Sequence, residues 1–98
     1  ARFDVTVDSH LPPTRVPVDN PLVSLIAKHT ESILGTKPIP IGFSGATVSK
    51  QLIQKGIIAV GFGPGDEDQS HIANESIEIQ ELIDFGKIMG LVILDMLK

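Results

Sequence analysis

The first residues of the chain alternate between apolar and polar side chains. Phe3, Val5 and Val7 are the apolar members, and polar residues separate them throughout residues 2–8. A period of two is typical of a half-buried strand with one face in water, as in an antiparallel sheet. No second strand of this kind follows nearby, so we expect this strand to find its partners outside these 98 residues.

A proline-rich connector and a well-marked helix follow. Pro12, Pro13 and Pro17 disfavour helix and predict an extended crossing between domains. Asn20 then supplies a helix cap, and Gly35 a stop, for a helix that starts with proline. The stripe at helical spacing comprises Leu22, Leu25, Ile26, His29 and Ile33. On that stripe His29 is interpreted as a core or boundary histidine.

The middle of the chain predicts an α/β unit. Residues 39–41 and 57–60 are short apolar segments, and residues 46–55 between them have the pattern of a helix that Ser44 could cap and Gly56 would stop. The order strand, helix, strand predicts two parallel neighbours joined by a right-handed crossover.

The last twenty residues predict a closing helix over residues 79–98. Its wide apolar face indicates packing against a sheet. Gly86 and Gly90 lie four apart and would allow a close approach between helices.

Composition narrows the chemistry. The net charge is −4 without a basic run, which argues against nucleic acid as a partner. Cysteine is absent, so a bound metal must be held by His, Asp or Glu. No stretch is long and apolar enough to indicate a membrane partner, and a cytoplasmic location fits these features.

The richest segment for chemistry is the run Gly61-Phe-Gly-Pro-Gly-Asp-Glu-Asp-Gln-Ser-His-Ile-Ala-Asn-Glu75. It should leave the carboxyl end of a parallel strand, the edge at which open α/β sheets bind ligands. His71 could ligate zinc if Glu75 or a backbone carbonyl oriented its ring. The spacing alone favours a solvated surface histidine instead.

This run, with the helix behind it, resembles the C-terminal end of the acetylornithine deacetylase, succinyl-diaminopimelate desuccinylase, aminoacylase and glutamate carboxypeptidase family. The segments upstream follow the family's order as well. The resemblance implies that residues 1–12 are the last strand of an inserted lid domain with its crossing linker. Residues 13–98 would then be the C-terminal part of a zinc-peptidase-like catalytic domain. The fold expected from residues and resemblance together is therefore an α/β fragment.

The resemblance also implies roles for individual residues. The histidine matching His71 binds the second of two zinc ions, which cobalt or manganese could replace, and Glu75 would support it from behind. The turn matching Gly45, Ala46 and Thr47 lines the substrate pocket. Ala46 replaces the family's second glycine, and the aspartate that usually follows the threonine is absent. The family's other metal ligands and its general base lie upstream and match nothing in this chain.

The implied function is hydrolysis of an amide bond in an N-acyl amino acid or a small peptide. The chain would supply one metal ligand and part of the pocket, and would be inactive without the remainder of the same enzyme. The family's lid domain could also mediate a homodimer. The alternative is a non-catalytic small α/β module for binding or interaction, built around the glycine-rich pocket.

Overall fold

A computed structural model describes all of residues 1–98 as three α-helices joined by turns and extended chain. The helices are α1, Pro21–Leu34, α2, Ser49–Gln54, and α3, Ile79–Met96. A single 3₁₀ turn, Glu67–Gln69, interrupts the long connection between α2 and α3. No segment forms a β-strand, and none of the helices is long and apolar enough to cross a membrane.

The ends of α1 are set by local side-chain chemistry. The Asn20 side-chain oxygen accepts the Val23 backbone N–H at 3.0 Å, and Pro21 occupies the first turn, where its missing N–H costs nothing. Gly35 ends the helix in the left-handed region, with φ of 78°, and its N–H donates to the Glu31 carbonyl oxygen at 2.8 Å. The predicted cap and stop of this helix are both confirmed.

The core of the molecule is the contact between α1 and α3, the one pair of helices that packs together. Ile26 of α1 is buried against Ile88 and Val92 of α3, which are 2% and 1% exposed. Val60 and Phe62, from the chain between α2 and the 3₁₀ turn, pack against the same cluster. Burial of this apolar surface is therefore the main stabilising contribution in the fold.

A charged cluster joins the same two helices near the C-terminus of α3. The buried His29 places its Nε2 atom 2.8 Å from an Asp95 carboxylate oxygen, and the Lys28 ammonium donates to that same oxygen at 3.1 Å. Lys98 donates to the other oxygen at 3.2 Å. His29, followed by Lys28 and Lys98, holds the pKa of Asp95 well below its usual range. The prediction that His29 is a core or boundary residue agrees with its position.

The expected parallel strand–helix–strand unit is wrong. Residues 39–41 and 57–60 are extended, but no backbone hydrogen bonds link them into a ladder. Ile39 and Ile41 are 83% and 75% exposed. The physical reason is that a parallel pair needs both faces covered and further strands beside it, and this chain supplies neither. The α/β fold class is therefore replaced by a helical one.

The second of these segments packs on the helices instead of on another strand. The ring of Phe62 lies 5.7 Å from that of Phe85 in α3, with the two planes inclined by 39°. Val60 reaches the core beside it, whereas Ile57 and Ile58 are half exposed. The segment gains more by burying two side chains against α3 than by pairing with a neighbour that has no support of its own.

The expected lid-domain strand is likewise absent as a strand. Residues 2–8 are extended without ladder hydrogen bonds, and Phe3, Val5 and Val7 are 85%, 83% and 78% exposed. An alternating pattern creates an apolar face, but only a partner strand can satisfy the backbone and bring that face to a core.

The helix α3 matches its predicted limits to within two residues, but its surroundings differ from those expected. No sheet covers its wide apolar face. No atom outside the backbone of α3 lies within 4 Å of a Cβ built on Gly86 or Gly90, so no element uses the close approach that these glycines allow. The apolar residues on this exposed side are Ile79, Leu82, Ile83, Ile93, Leu94 and Leu97.

The helix α2 is shorter than predicted. It begins at Ser49 rather than near Ala46, and Ser44 does not cap it. Its stop is correct: Gly56 has a φ of 80°, and the Ile57 N–H reaches back to the Leu52 carbonyl oxygen at 3.0 Å.

The core predicts a clear difference between two isoleucines of α3. Ile88→Ala should lower the free energy of unfolding by about 2–5 kcal/mol, because it leaves a cavity between the helices. Ile93→Ala, at a half-exposed position on the same helix, should cost less than about 1 kcal/mol. Urea denaturation followed by circular dichroism measures both. Equal losses would contradict the assignment of the core.

The charged cluster predicts a pH dependence of stability. The folded-state pKa of Asp95 is depressed, so its stabilising contribution is complete above the unfolded pKa of about 3.9 and is lost as the pH falls towards the folded value. Asp95→Asn should therefore be less stable than the wild type at neutral pH. The difference in free energy of unfolding between the two proteins should narrow as the pH falls from about 5 to about 2. Denaturation at several pH values tests this, and a gap independent of pH would contradict it.

Candidate functional site

A groove of 940 Å³ opens between α2, the glycine-rich segment and the chain just before α3. Its apolar wall includes Ile41, Phe43, Ile53, Phe62 and Ile77. Its charged residues are Asp66, Glu67 and Glu75, with Lys50 as the single basic one, and uncharged polar residues make up the rest of the polar wall. The groove is therefore an open recess of mixed character, more polar than most small-molecule sites.

The turn predicted to bind substrate contributes two of its three residues to this groove. Gly45 and Thr47 line it, whereas Ala46 is exposed and lies outside the lining. The Thr47 hydroxyl accepts the Ser49 backbone N–H at 3.2 Å, so Thr47 also shapes the start of α2.

Gly45 lies under an aromatic ring. A Cβ atom built on it would stand 2.4 Å from Cε1 and 2.6 Å from Cζ of Phe43. The absence of a side chain at Gly45 therefore lets the ring of Phe43 lie over the backbone and form part of the groove wall.

The glycine-rich segment is held at both ends. Val60 and Phe62 anchor its beginning in the core. At its end, the Gly65 N–H donates to a Glu81 carboxylate oxygen of α3 at 2.8 Å. Gly65 has a φ of 96°, a conformation that side-chain-bearing residues rarely adopt. Together these contacts fix where the next segment leaves the helices.

The acidic residues that follow have a structural role in the loop. An Asp66 carboxylate oxygen accepts the Asp68 N–H at 2.9 Å, which caps the 3₁₀ turn, and the Ser70 N–H donates to the Glu67 carbonyl oxygen at 3.0 Å. Asp66 and Glu67 face the groove in addition to building this turn.

His71 lies immediately beyond the 3₁₀ turn, exposed to solvent and outside the groove lining. Its φ is 65°, and Asn74 three residues later has a φ of 57°. These are the only residues other than glycine with positive φ in the chain. Such a conformation is uncommon outside glycine and marks positions worth examining for function.

The predicted partner of His71 lies on the other side of the turn. Glu75 lines the groove, but no hydrogen bond joins it to His71 in this structure. The loop thus brings Glu75 together with Gly45 and Thr47 around one recess and leaves His71 at its outer edge.

The chain alone does not compose a metal site. No group of three or more His, Asp or Glu side chains is arranged to hold an ion. One imidazole does not make a zinc site, which needs three or four protein ligands. The residues present therefore fit, at most, one ligand of a site completed by other groups.

Two residues of the site region escaped the sequence analysis. Lys50 lies three positions after Thr47, and its N–H donates to the Thr47 carbonyl oxygen at 3.2 Å, so its place beside the turn at residues 45–47 follows from their proximity in sequence. The contact of Glu81 with Gly65 bridges sixteen residues. It carries no local signal, because it depends on how the loop folds back on α3.

Comparison with known proteins gives a family. The sequence model described as peptidase family M20/M25/M40 matches residues 2–95, nearly the whole chain. No curated protein and no solved structure matches significantly.

The contact between Gly45 and Phe43 predicts a sign change in a double-mutant cycle. Gly45→Ala should destabilise the wild type by no more than about 1 kcal/mol, because the new methyl group displaces only the far end of the Phe43 ring, which is 59% exposed and can turn into solvent. In a Phe43→Ala background the same substitution should stabilise the folded protein by about 0.4–1 kcal/mol. No ring is then displaced, and alanine lowers the conformational entropy of the unfolded chain relative to glycine. Urea denaturation of the four proteins measures the coupling. The same effect in both backgrounds would contradict the contact.

Proposed function

This chain belongs to the peptidase family M20/M25/M40, and on that premise we propose that it forms part of the active site of an amidohydrolase. Members of the family are metallopeptidases, so the chain is of the hydrolase type. The proposed reaction is hydrolysis of an amide bond in an N-acyl amino acid or a small peptide. His71 is the proposed metal ligand, and Glu75 its support.

The observation that carries this proposal is the family match over residues 2–95, which includes His71 and the glycine-rich segment before it. His71 also has a positive φ of 65°, which histidine adopts more readily than most residues and which marks a position worth examining. His71 follows the core-anchored glycine-rich segment by six residues and lies outside the groove lining. Functional residues are commonly held in this way by a rigid framework.

The proposed cofactor is zinc, two ions per complete site, with cobalt or manganese as substitutes. A neutral imidazole nitrogen is a good zinc ligand. Since no cluster of three ligands exists in this chain, the remaining ligands and the general base would come from other parts of the enzyme. When bound, the metal supplies an activated water for hydrolysis. The contribution of this chain is one nitrogen and the wall of the pocket.

The groove supports a small substrate. Its volume of 940 Å³ lies at the upper end of the range for small-molecule sites. The turn of Gly45, Ala46 and Thr47 is proposed to contact the substrate, with Gly45 and Thr47 in the groove lining. The apolar wall would accommodate a side chain of the substrate.

The alternative is a module that binds a ligand without catalysis. The observation in its favour is that no three metal-ligating side chains of this chain lie together. The two functions differ in what they require of His71. Hydrolysis by a bound metal needs its imidazole, whereas binding in the groove does not, because His71 lies outside the lining.

Substitution of His71 in the complete enzyme tests the proposal. His71→Asn removes the imidazole but keeps a residue that tolerates positive φ, and His71→Ala removes both. Both variants should lose at least about 100-fold in kcat/KM at saturating metal, since even residues that only support a ligand cost 10–100-fold. Elemental analysis should show one metal ion fewer per site.

His10→Ala is the matched control, because His10 is exposed and does not line the groove. It should retain full activity and full metal content. Near-normal turnover of His71→Asn with both metal ions bound would contradict the ligand assignment and favour the binding module.

A further inference from the structure

A single charge-assisted hydrogen bond closes the loop that carries His71. The Gly65 backbone N–H donates to a Glu81 carboxylate oxygen at 2.8 Å, although the two residues are sixteen positions apart. Residues 66–80 lie between them, so this contact forms the base of a loop with His71 and Glu75 near its middle.

The loop has little else to hold it. Before α3 begins at Ile79, the backbone hydrogen bonds among residues 66–77 are local, within the 3₁₀ turn and the turn after it. No residue of 66–80 is buried. The Ile77 side chain reaches back to the base, where its methyl group would lie 3.3 Å from a Cβ at Gly65. A loop with no core of its own takes its position from its base.

The base itself is well supported. Glu81 stands in the first turn of α3, the helix that supplies Ile88 and Val92 to the core. On the other side, Phe62 contacts Phe85, one turn beyond Glu81 on the same helix. The Glu81 carboxylate is thus presented from the helix that carries most of the core to the last residue of the glycine-rich segment. Hydrogen bonds from an amide to a carboxylate are shorter and stronger than neutral ones.

We propose that Glu81 is a positioning residue, which orients the His71 loop through its hydrogen bond to the Gly65 N–H. The inference rests on the proposed function in so far as His71 is taken to be a metal ligand. It adds a residue that touches neither metal nor substrate but determines where both His71 and Glu75 stand relative to the groove.

Amide hydrogen exchange of this chain, followed by NMR, tests the proposal without metal or substrate. In Glu81→Ala the Gly65 amide should exchange about two- to tenfold faster, the factor that corresponds to the net worth of one hydrogen bond. The backbone resonances of His71 and Asn74 should shift towards random-coil values, whereas those of Ile26 and Val92 should not. Glu81→Gln keeps an acceptor oxygen. It should therefore show a smaller effect on the exchange of the Gly65 amide and on the resonances of His71 and Asn74.

Glu78→Ala is the matched control. Like Glu81→Ala, this substitution removes one negative charge at the N-terminus of α3, so any effect on the helix dipole is common to both variants. The Glu78 side chain makes no capping hydrogen bond that would be lost. Unchanged Gly65 exchange in Glu81→Ala would overturn the proposal. So would unshifted loop resonances, or an equal response in Glu78→Ala. These readouts do not depend on catalysis, so the proposed function, tested through His71 in the complete enzyme, can fail or succeed separately.

Discussion

The packing of α1 against α3 is the contact on which the rest of the structure depends. Ile26, Ile88 and Val92 are the only buried apolar residues. The neighbouring segments are positioned by their contacts with these two helices. Val60 and Phe62 pack onto this pair of helices, and the glycine-rich segment therefore begins at a fixed point. Its end is tied to the same helix through Glu81. The groove and the His71 loop are arranged around this framework, since neither has a core of its own.

The polar contacts between the helices reinforce this arrangement at the opposite end of α3. His29, Lys28 and Lys98 surround Asp95 with hydrogen-bond donors. A carboxylate with several such partners stays ionised well below its usual pKa. Because His29 and Lys28 come from α1, the cluster adds directional contacts to an interface whose apolar part is small. Burial brings the two helices together, and the carboxylate favours one alignment of them.

Most of the apolar surface of this chain has no partner. Six of 98 residues are buried, so hydrophobic burial within the chain contributes little stability for its length. The exposed surface is organised into an alternating face at residues 2–8 and one side of α3 around Gly86 and Gly90. Contiguous apolar surface of this kind marks sites where further protein packs, or where copies aggregate.

The sequence by itself determined the features that depend on neighbouring residues. The Asn20 cap follows from a side chain within one turn of the backbone it satisfies, and the Gly35 and Gly56 stops follow from the backbone freedom of glycine. The extent of α3 follows from the periodicity of its own apolar residues. Gly45, Ala46, Thr47, His71 and Glu75 were predicted as site residues from the resemblance to a family, whereas spacing alone favoured a solvated histidine at position 71. Only the tertiary structure decided which of them meet. Gly45, Thr47 and Glu75 share one groove, and His71 stands outside it. The predicted strands failed for the same physical reason, because a strand is stabilised by hydrogen bonds to a distant segment, and local pattern carries no information on whether that segment is present. The Glu81–Gly65 contact belongs to this class as well, since it exists only after the loop has folded back onto α3.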